Sequence, residues 1–378
     1  MAEATVIKPD LDFVKAIISS GGESLKKCFQ CATCSVVCNL APDDKPFPRK
    51  EMIYAQWGLK DRLISNPDIW LCHQCSDCTT YCPRGAKPAE VLSAIRRESI
   101  KHYAFPSLMG KAVSDKRFLS LLFIIPAILL IMILSAIGNL RIPEGEIVFS
   151  KFFPILYIDI IFTSALGFGV LVGIMGVRRF WNDMNETVGS SSYQGGYARG
   201  NLKDSIIATL KDVLTHNKFK KCIINRDRHL AHLLVFYGFI ALGVTTALAV
   251  FYMYVLKIPS PYPLTSPVKI IGTIGGLALF IGINLVVINR IKNAKSLGIG
   301  SYFDWLLIFI IYVVTLSGIL SKVIRLADIS TLAYPIYFIH LVFVFSLFLY
   351  LPYSKLAHIF YRATAICYAK YSGREIGS

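Results

Sequence analysis

Cys28-Phe-Gln-Cys31-Ala-Thr-Cys34-Ser-Val-Val-Cys38 and Cys72-His-Gln-Cys75-Ser-Asp-Cys78-Thr-Thr-Tyr-Cys82-Pro83 are two copies of one pattern, C-x2-C-x2-C-x3-C. Eight of the ten cysteines fall in these two runs. In a small exported protein they would suggest disulfides; in a domain without an export signal, tight runs of thiols point to metal ligation. No cleavable signal peptide is expected, because Asp and Glu lie among the first seventeen residues and the first apolar run begins near Phe118. The cysteine domain is therefore expected in the cytoplasm.

The doubled spacing is that of two-cluster bacterial ferredoxins. Three thiolates at two-residue intervals can wrap one cubane from a tight loop, whereas the fourth, entering a helix, is directed towards the other cluster. One 4Fe–4S cluster is thus assigned to Cys28, Cys31, Cys34 and Cys82, the other to Cys72, Cys75, Cys78 and Cys38. Local grouping of each run is the alternative. A zinc site is another, although zinc usually takes paired C-x2-C units. Proline follows Cys82 directly, but after Cys38 it is displaced to Pro42, so the first turn need not match the second. Cys222 and Cys367 stand apart and read as unligated, near the inner membrane face.

The 378 residues are 54% hydrophobic and 17% charged, with mean hydropathy +0.54, which excludes an ordinary soluble protein. Residues 1–117 are soluble in character; 118–378 form the membrane part, with apolar runs at about 118–140, 152–177, 230–256, 268–289, 303–321 and 331–353. Six spans put both ends of the chain on one side. With the N-terminus inside, the inner segments 178–228, 290–302 and 354–378 hold 17 Lys and Arg against 6 in the outer loops. This predicts a multi-pass protein of the cytoplasmic membrane with both termini cytoplasmic. The net charge of +16 then reflects membrane topology, with lipid as the partner and no nucleic acid. Segment 178–228, Gly- and Ser-rich around 189–200, reads as a solvated linker or a docking surface for acidic partners.

Histidines carry the next signal. His102 and His216 lie in polar segments and His73 sits within the second cysteine run, so surface or supporting roles are expected of them. His229 and His232 open the third span on one helix face. His340 and His358 are 18 residues apart, five turns of a continuous helix and roughly 27 Å. An ionisable group in hydrocarbon needs a partner, so His340 is a functional candidate. Antiparallel spans three and six would let His232 or His229 face His358 across a haem b near the inner surface. An outer haem at His340 lacks a second histidine at its depth. Asp159, in span two, could exchange protons with a quinone or simply be wetted at the interface. Gly167, Gly169, Gly173 and Gly176 suggest close helix packing, because no strand precedes them as a dinucleotide loop requires.

These residues together resemble a C subunit of heterodisulfide reductase fused to a haem b membrane domain, like that enzyme's E subunit and the nitrate reductase membrane subunit. The fusion resembles the membrane subunits of quinone-interacting membrane-bound oxidoreductase (Qmo) complexes. In the nitrate reductase relatives one span carries two haem histidines ten residues apart and a later span two more, 18 apart. His340 and His358 match the later pair and His232 the inner member of the first, but Leu242 stands where its mate would be. The resemblance implies exchange of electrons with menaquinone, and soluble flavin and iron–sulfur partner subunits leading to adenylylsulfate reductase in sulfate respiration. No adjacent Cys-Cys pairs of a disulfide-reducing cluster appear.

The expected fold is therefore all-α, a small helical two-cluster ferredoxin domain, with helices around 51–64 and 90–100 packed on the cluster loops, followed by a six-helix transmembrane bundle. The expected function is electron transfer among menaquinol, one or two haem b, two 4Fe–4S clusters and partner subunits. The alternative is a membrane-anchored redox sensor or structural anchor with clusters and no haem relay.

Overall fold

The computed structural model describes residues 8–41, 46–190, 200–216, 228–294 and 298–373, and within these it is helical without strands. The cysteine domain holds α1 (Leu11–Ser19), α2 (Thr33–Val36), α3 (Arg49–Gln56), α4 (Lys60–Ile64), α5 (Pro67–Leu71), α6 (Asp77–Thr80), α7 (Pro88–Tyr103) and α8 (Ser107–Ser114). The start of α1 is fixed by Asp10, whose carboxylate accepts the Phe13 N–H at 2.8 Å. The start of α5 is fixed by Asn66, which accepts from Asp68, with Pro67 in the first turn. α7 presents Val91, Leu92 and Ile95 to a core shared with Ile17, Met52 and Leu63, all fully buried or nearly so. The helices expected around 51–64 and 90–100 are α3, α4 and α7, and they form the wall behind the cysteine loops.

The membrane part holds α9 (Leu121–Ala136), α10 (Phe149–Phe152), α11 (Ile155–Ser190), α12 (Leu202–Thr215), α13 (Arg228–Tyr254), α14 (Pro267–Lys292), α15 (Tyr302–Leu326), α16 (Ser330–Leu349) and α17 (His358–Tyr371). Six stretches are long and apolar enough to cross a bilayer: Lys116–Ala136, Ile155–Glu186, Arg228–Tyr254, Pro267–Lys292, Tyr302–Leu326 and Ser330–Leu349. Their ends depart from the apolar runs by a few residues, except that the second helix continues well past 177. Helical hydrogen bonding does not stop where hydrocarbon does, so α11 carries Arg178 and Arg179 beyond the apolar run. The first span ends early, at Gly138 in the left-handed conformation with φ +76°.

Small residues set the closest helix contacts. A Cβ on Gly238 would lie 2.9 Å from the Leu279 amide nitrogen, and one on Gly282 2.8 Å from that of Val235, so α13 and α14 meet backbone to backbone. The glycines of α11 act similarly. A Cβ on Gly169 would fall 2.7 Å from the Phe348 carbonyl oxygen and one on Gly173 3.0 Å from the Phe360 ring, although Gly167 has open space beside it.

One expectation is corrected. His340 and His358 do not share a continuous helix: α16 ends at Leu349, residues 350–354 turn, a 3-10 segment Lys355–Ala357 follows, and α17 begins at His358. Pro352, which lacks an N–H and clashes with the preceding turn, is the physical cause, so the 27 Å separation does not apply. Beyond the break α17 continues along α11, from Phe360 beside Gly173 to Tyr368 and Tyr371 beside Trp181, and packs on α12 and α5 as well. The cysteine domain is seated on it through Trp70, stacked 5.1 Å from Tyr361. Tyr103 adds a bond to Asp183 at 2.8 Å, and Tyr353 one to the Phe105 carbonyl at 2.5 Å.

Candidate metal centres

The two cysteine runs repeat as structures. Gln30 and Ala32 in the first, Gln74 and Ser76 in the second, all adopt the left-handed conformation, with φ of 61°, 65°, 54° and 70°. Such backbone is unfavourable for residues with a side chain, and it turns successive N–H groups towards a common centre, the geometry of an anion-binding nest. The Gln74 amide donates to the Cys72 sulfur at 3.3 Å, and the Ala86 amide to that of Cys82 at 3.3 Å. Each run then enters a short helix, α2 or α6, which carries the third cysteine.

Long-range contacts interlock the runs. Cys38 joins Cys72, Cys75 and Cys78 in lining one cavity, closed by Phe47 and Leu92. The charges acting on Cys34 come from Cys28, Cys31 and Cys82. Those on Cys38 come from Cys72 and Cys75. Two groups of four follow, each with its fourth member from the other run. Among the described residues, no three or more His, Cys, Asp or Glu stand close enough to share a single metal ion. Two runs of C-x2-C-x2-C-x3-C with four thiols around one cavity fit a cubane better than zinc, which usually takes paired C-x2-C units. Burial pushes the Cys34 thiol up to about 11 and that of Cys38 up to about 12; it raises the Cys78 thiol well above its ordinary value too. A bound cationic centre compensates such desolvation when the thiols release their protons. Cys31 differs: its thiol is exposed and held below the usual range by hydrogen bonding at Thr33.

Three guanidinium groups converge on the second loop. Arg96 donates to the carbonyls of Ile69 at 2.7 Å and Cys72 at 2.5 Å. Arg362 donates to the Cys72 carbonyl at 3.0 Å and lies 3.0 Å from the nearer ring nitrogen of His73. Arg228 donates to the carbonyls of Gln74 at 2.5 Å and His73 at 3.2 Å. His73 is thereby buried, in a supporting place beside the cysteines.

His232 lies within electrostatic reach of His358, at the end of the bundle beside the cysteine domain. The two come from α13 and α17, not from facing spans: α13 packs chiefly along α14. The His358 Nδ1 lies 2.7 Å from the Lys355 carbonyl, and burial pushes its imidazole down to about 4, a neutral ring with Nε2 left for a ligand. His340 is held likewise, its Nδ1 3.0 Å from the Val314 carbonyl and 3.1 Å from the Ser317 hydroxyl. Of the surface or supporting roles expected of His216, the structure gives it a supporting place. It is buried, its ring 5.0 Å from that of His232 and 4.7 Å from Phe236, and it lies in reach of His229. The polar sequence of α12 concealed this, because the helix folds back over α17; no local pattern announces it. His102 is exposed, as expected.

Asp159 accepts a hydrogen bond from the Tyr254 hydroxyl at 2.6 Å, joining α11 to the C-terminal end of α13, far along the helix from His229 and His232. Cys367 is buried on α17; Cys222 and most of the 189–200 stretch lie outside the described residues. Sequence reading also passed over Asp304, buried at the start of α15, which pairs with Lys355 and, at 3.6 Å, with Arg290. Its signal was a capping box, Ser301 with Asp304.

Residues 114–376 match the family described as Citrate utilization protein B, and residues 24–86 the 4Fe-4S dicluster domain. Citrate utilization protein B of Escherichia coli is 28% identical over 78% of this chain and 79% of its own length. The C subunit of the H(2):CoB-CoM heterodisulfide,ferredoxin reductase of Methanothermobacter marburgensis is 39% identical over 24% of this chain and 50% of its own length. The E subunit of the dihydromethanophenazine:CoB–CoM heterodisulfide reductase of Methanosarcina thermophila is 28% identical over 37% of this chain and 59% of its own length. This chain spans about half the length of the C subunits it matches. No solved structure matches.

Proposed function

The chain belongs to the Citrate utilization protein B family, and from that premise we propose that it is the membrane electron-transfer subunit of a quinone-interacting complex. Iron–sulfur ligation and a place among the subunits of a complex follow from the dicluster domain and the heterodisulfide reductase relatives. The finer reading is that it exchanges electrons with menaquinone in the cytoplasmic membrane, both termini cytoplasmic, and passes them to flavin and iron–sulfur subunits, as a Qmo membrane subunit serving adenylylsulfate reductase would. Residues 1–117 form the cluster domain and 118–378 the haem domain in this reading. The observation that carries it is the interlocked grouping of eight thiols beside the His232–His358 pair.

Cys28, Cys31, Cys34 and Cys82 would hold one 4Fe–4S cluster, and Cys38, Cys72, Cys75 and Cys78 the other. His358 with His232 would hold the inner haem b, with His229 the other candidate from α13; His340 would hold an outer one. When bound, these groups supply one-electron storage, and menaquinone supplies coupled electron and proton exchange. The protein's own part is to fix the ring orientations through Lys355 and Val314, to keep the His358 imidazole neutral, and to bury the thiols. Asp159, bonded to Tyr254, is the group placed to exchange protons with quinone on the outer side.

A reduced-minus-oxidised absorption spectrum with pyridine haemochrome quantification tests the reading, with b-type haem expected alongside iron and sulfide for two clusters. In His358→Ala the inner haem is expected to be lost and quinol-driven cluster reduction blocked, while dithionite still reduces the clusters. A chain with clusters but no haem would leave the redox sensor or anchor. The likeness to E. coli Citrate utilization protein B, over most of both chains, favours a second reading in which the same relay serves an enzyme of citrate use. The flavoprotein that co-purifies distinguishes the two.

A further inference from the structure

We propose that the thiol group Cys38, Cys72, Cys75 and Cys78 is the membrane-side electron station, and that Arg228 and Arg362 both couple it to the inner histidines and raise its reduction potential. The inference rests on the two-cluster reading above and adds the order of the stations and the residues that set it.

Arg228 and His232 are four residues apart on α13, and His358 and Arg362 four apart on α17, so each arginine stacks one turn from a histidine on the same helix face. Both guanidinium groups then reach the same loop: Arg228 binds the carbonyls of His73 and Gln74, and Arg362 that of Cys72. The histidine pair and the second loop are thereby fixed about one helical turn apart from two sides. Arg96 completes the grip from within the cysteine domain.

Among the described residues the first loop has no such anchorage. The bonds it receives come from its own domain, from Arg49 to the Gln30 carbonyl at 3.1 Å and from Gln56 to the Cys28 carbonyl at 2.9 Å. Its outward side exposes Cys31, with Phe29 65% and Val36 84% exposed. One thiol group faces the membrane domain and the other faces solvent, which sets the sequence inner histidines, second-loop group, first-loop group, partner.

Charge sets the potential independently of that order. The carbonyls that the arginines engage belong to the loop that holds a centre which becomes more negative on reduction. Fixed positive charge and donated hydrogen bonds stabilise that reduced form, so they raise its potential. The first loop lies away from both arginines and should not feel their loss.

The test is a redox titration of the purified full-length protein followed by EPR, comparing wild type with Arg362→Gln, Arg228→Gln and Arg362→Lys. Two cluster signals are expected in wild type. Each glutamine variant should shift one of them to lower potential and leave the other in place, and Arg362→Lys should restore most of the shift. The shifted signal should be the one altered by Cys75→Ser and untouched by Cys31→Ser. Equal shifts of both signals, no shift, or a shift of the signal tied to Cys31 would overturn the assignment while leaving the two-cluster reading intact. Absence of cluster signals from wild type would overturn both.

Discussion

The Nδ1 atom of His340 stands 3.0 Å from the carbonyl oxygen of Val314, across the contact between α16 and α15. This bond selects the tautomer with its proton on Nδ1 and leaves Nε2 without one, the state that a haem ligand requires. Gly318, one turn on from Val314 along α15, lies against the same edge of the ring: a Cβ there would sit 3.0 Å from Cε1 and 3.4 Å from Nδ1. His340→Ala is therefore expected to lower pyridine haemochrome by one haem per chain. Gly318→Ala should keep the haem but tilt its ligand, read as altered low-spin haem g-values. Unchanged haem content in His340→Ala would make this histidine a packing residue.

Interlocked ligation predicts that variants in different runs damage the same centre. Cys82→Ser should give the same altered EPR signal as Cys28→Ser, and Cys38→Ser the same as Cys78→Ser. Under local grouping Cys82→Ser would instead resemble Cys78→Ser. Mössbauer counting of the surviving cluster gives an independent check.

These assignments differ in how far the sequence could reach. The cysteine loops were legible because their geometry is local: two-residue spacing and one repeated turn fix three thiols from one segment. The six spans were legible because bilayer thickness imposes a length on apolar runs. The break between His340 and His358 was missed because an 18-residue interval matches five helical turns, yet Pro352 lay between them as the signal against it. His216 could not be read, since its place beside His232 depends on α12 folding over α17. Arg228 and Arg362 were within reach: each lies four residues from a singled-out histidine, and only the contact with the second cysteine loop needed three dimensions.

Glu51 makes the cluster domain sensitive to alkali. Burial pushes its carboxyl up to about 7, with Lys50 pulling the other way, and Asn66 donates to it at 3.1 Å. The folded form holds this proton more tightly than the unfolded one, so the stabilising contribution is complete below the ordinary carboxylate range. It is lost as pH rises through about 7. Glu51→Gln keeps an acceptor for Asn66 and cannot ionise. Above neutral pH it should be more stable than wild type by on the order of 2 kcal/mol, with a flatter pH profile between roughly pH 5 and 8. Thermal loss of cluster absorbance across that range measures it; parallel profiles would show that Glu51 ionises without cost.

Asp304 and Lys355 hold the base of the histidine site. Asp304 receives the Lys355 ammonium directly and Arg290 at 3.6 Å, while its other role, capping α15, ties it to the Ser301 amide at 3.0 Å. Burial pushes the Lys355 ammonium down, and the Asp304 charge works against that shift. The Lys355 carbonyl is also the acceptor that orients His358. Asp304→Asn leaves a half-buried ammonium without its nearest counter-charge, a change that costs roughly 1–3 kcal/mol. The variant should melt earlier in detergent and lose inner haem together with stability. Adding Lys355→Met removes the stranded charge, and Arg290 keeps the Ile299 carbonyl at 3.3 Å. The double variant should therefore recover most of the loss, a coupling of roughly 1–3 kcal/mol between neighbours in one network. If the double variant instead fell by the sum of the two singles, Asp304 would act on α15 through its cap alone, and His358 would owe its orientation to the Lys355 backbone without help from the ion pair.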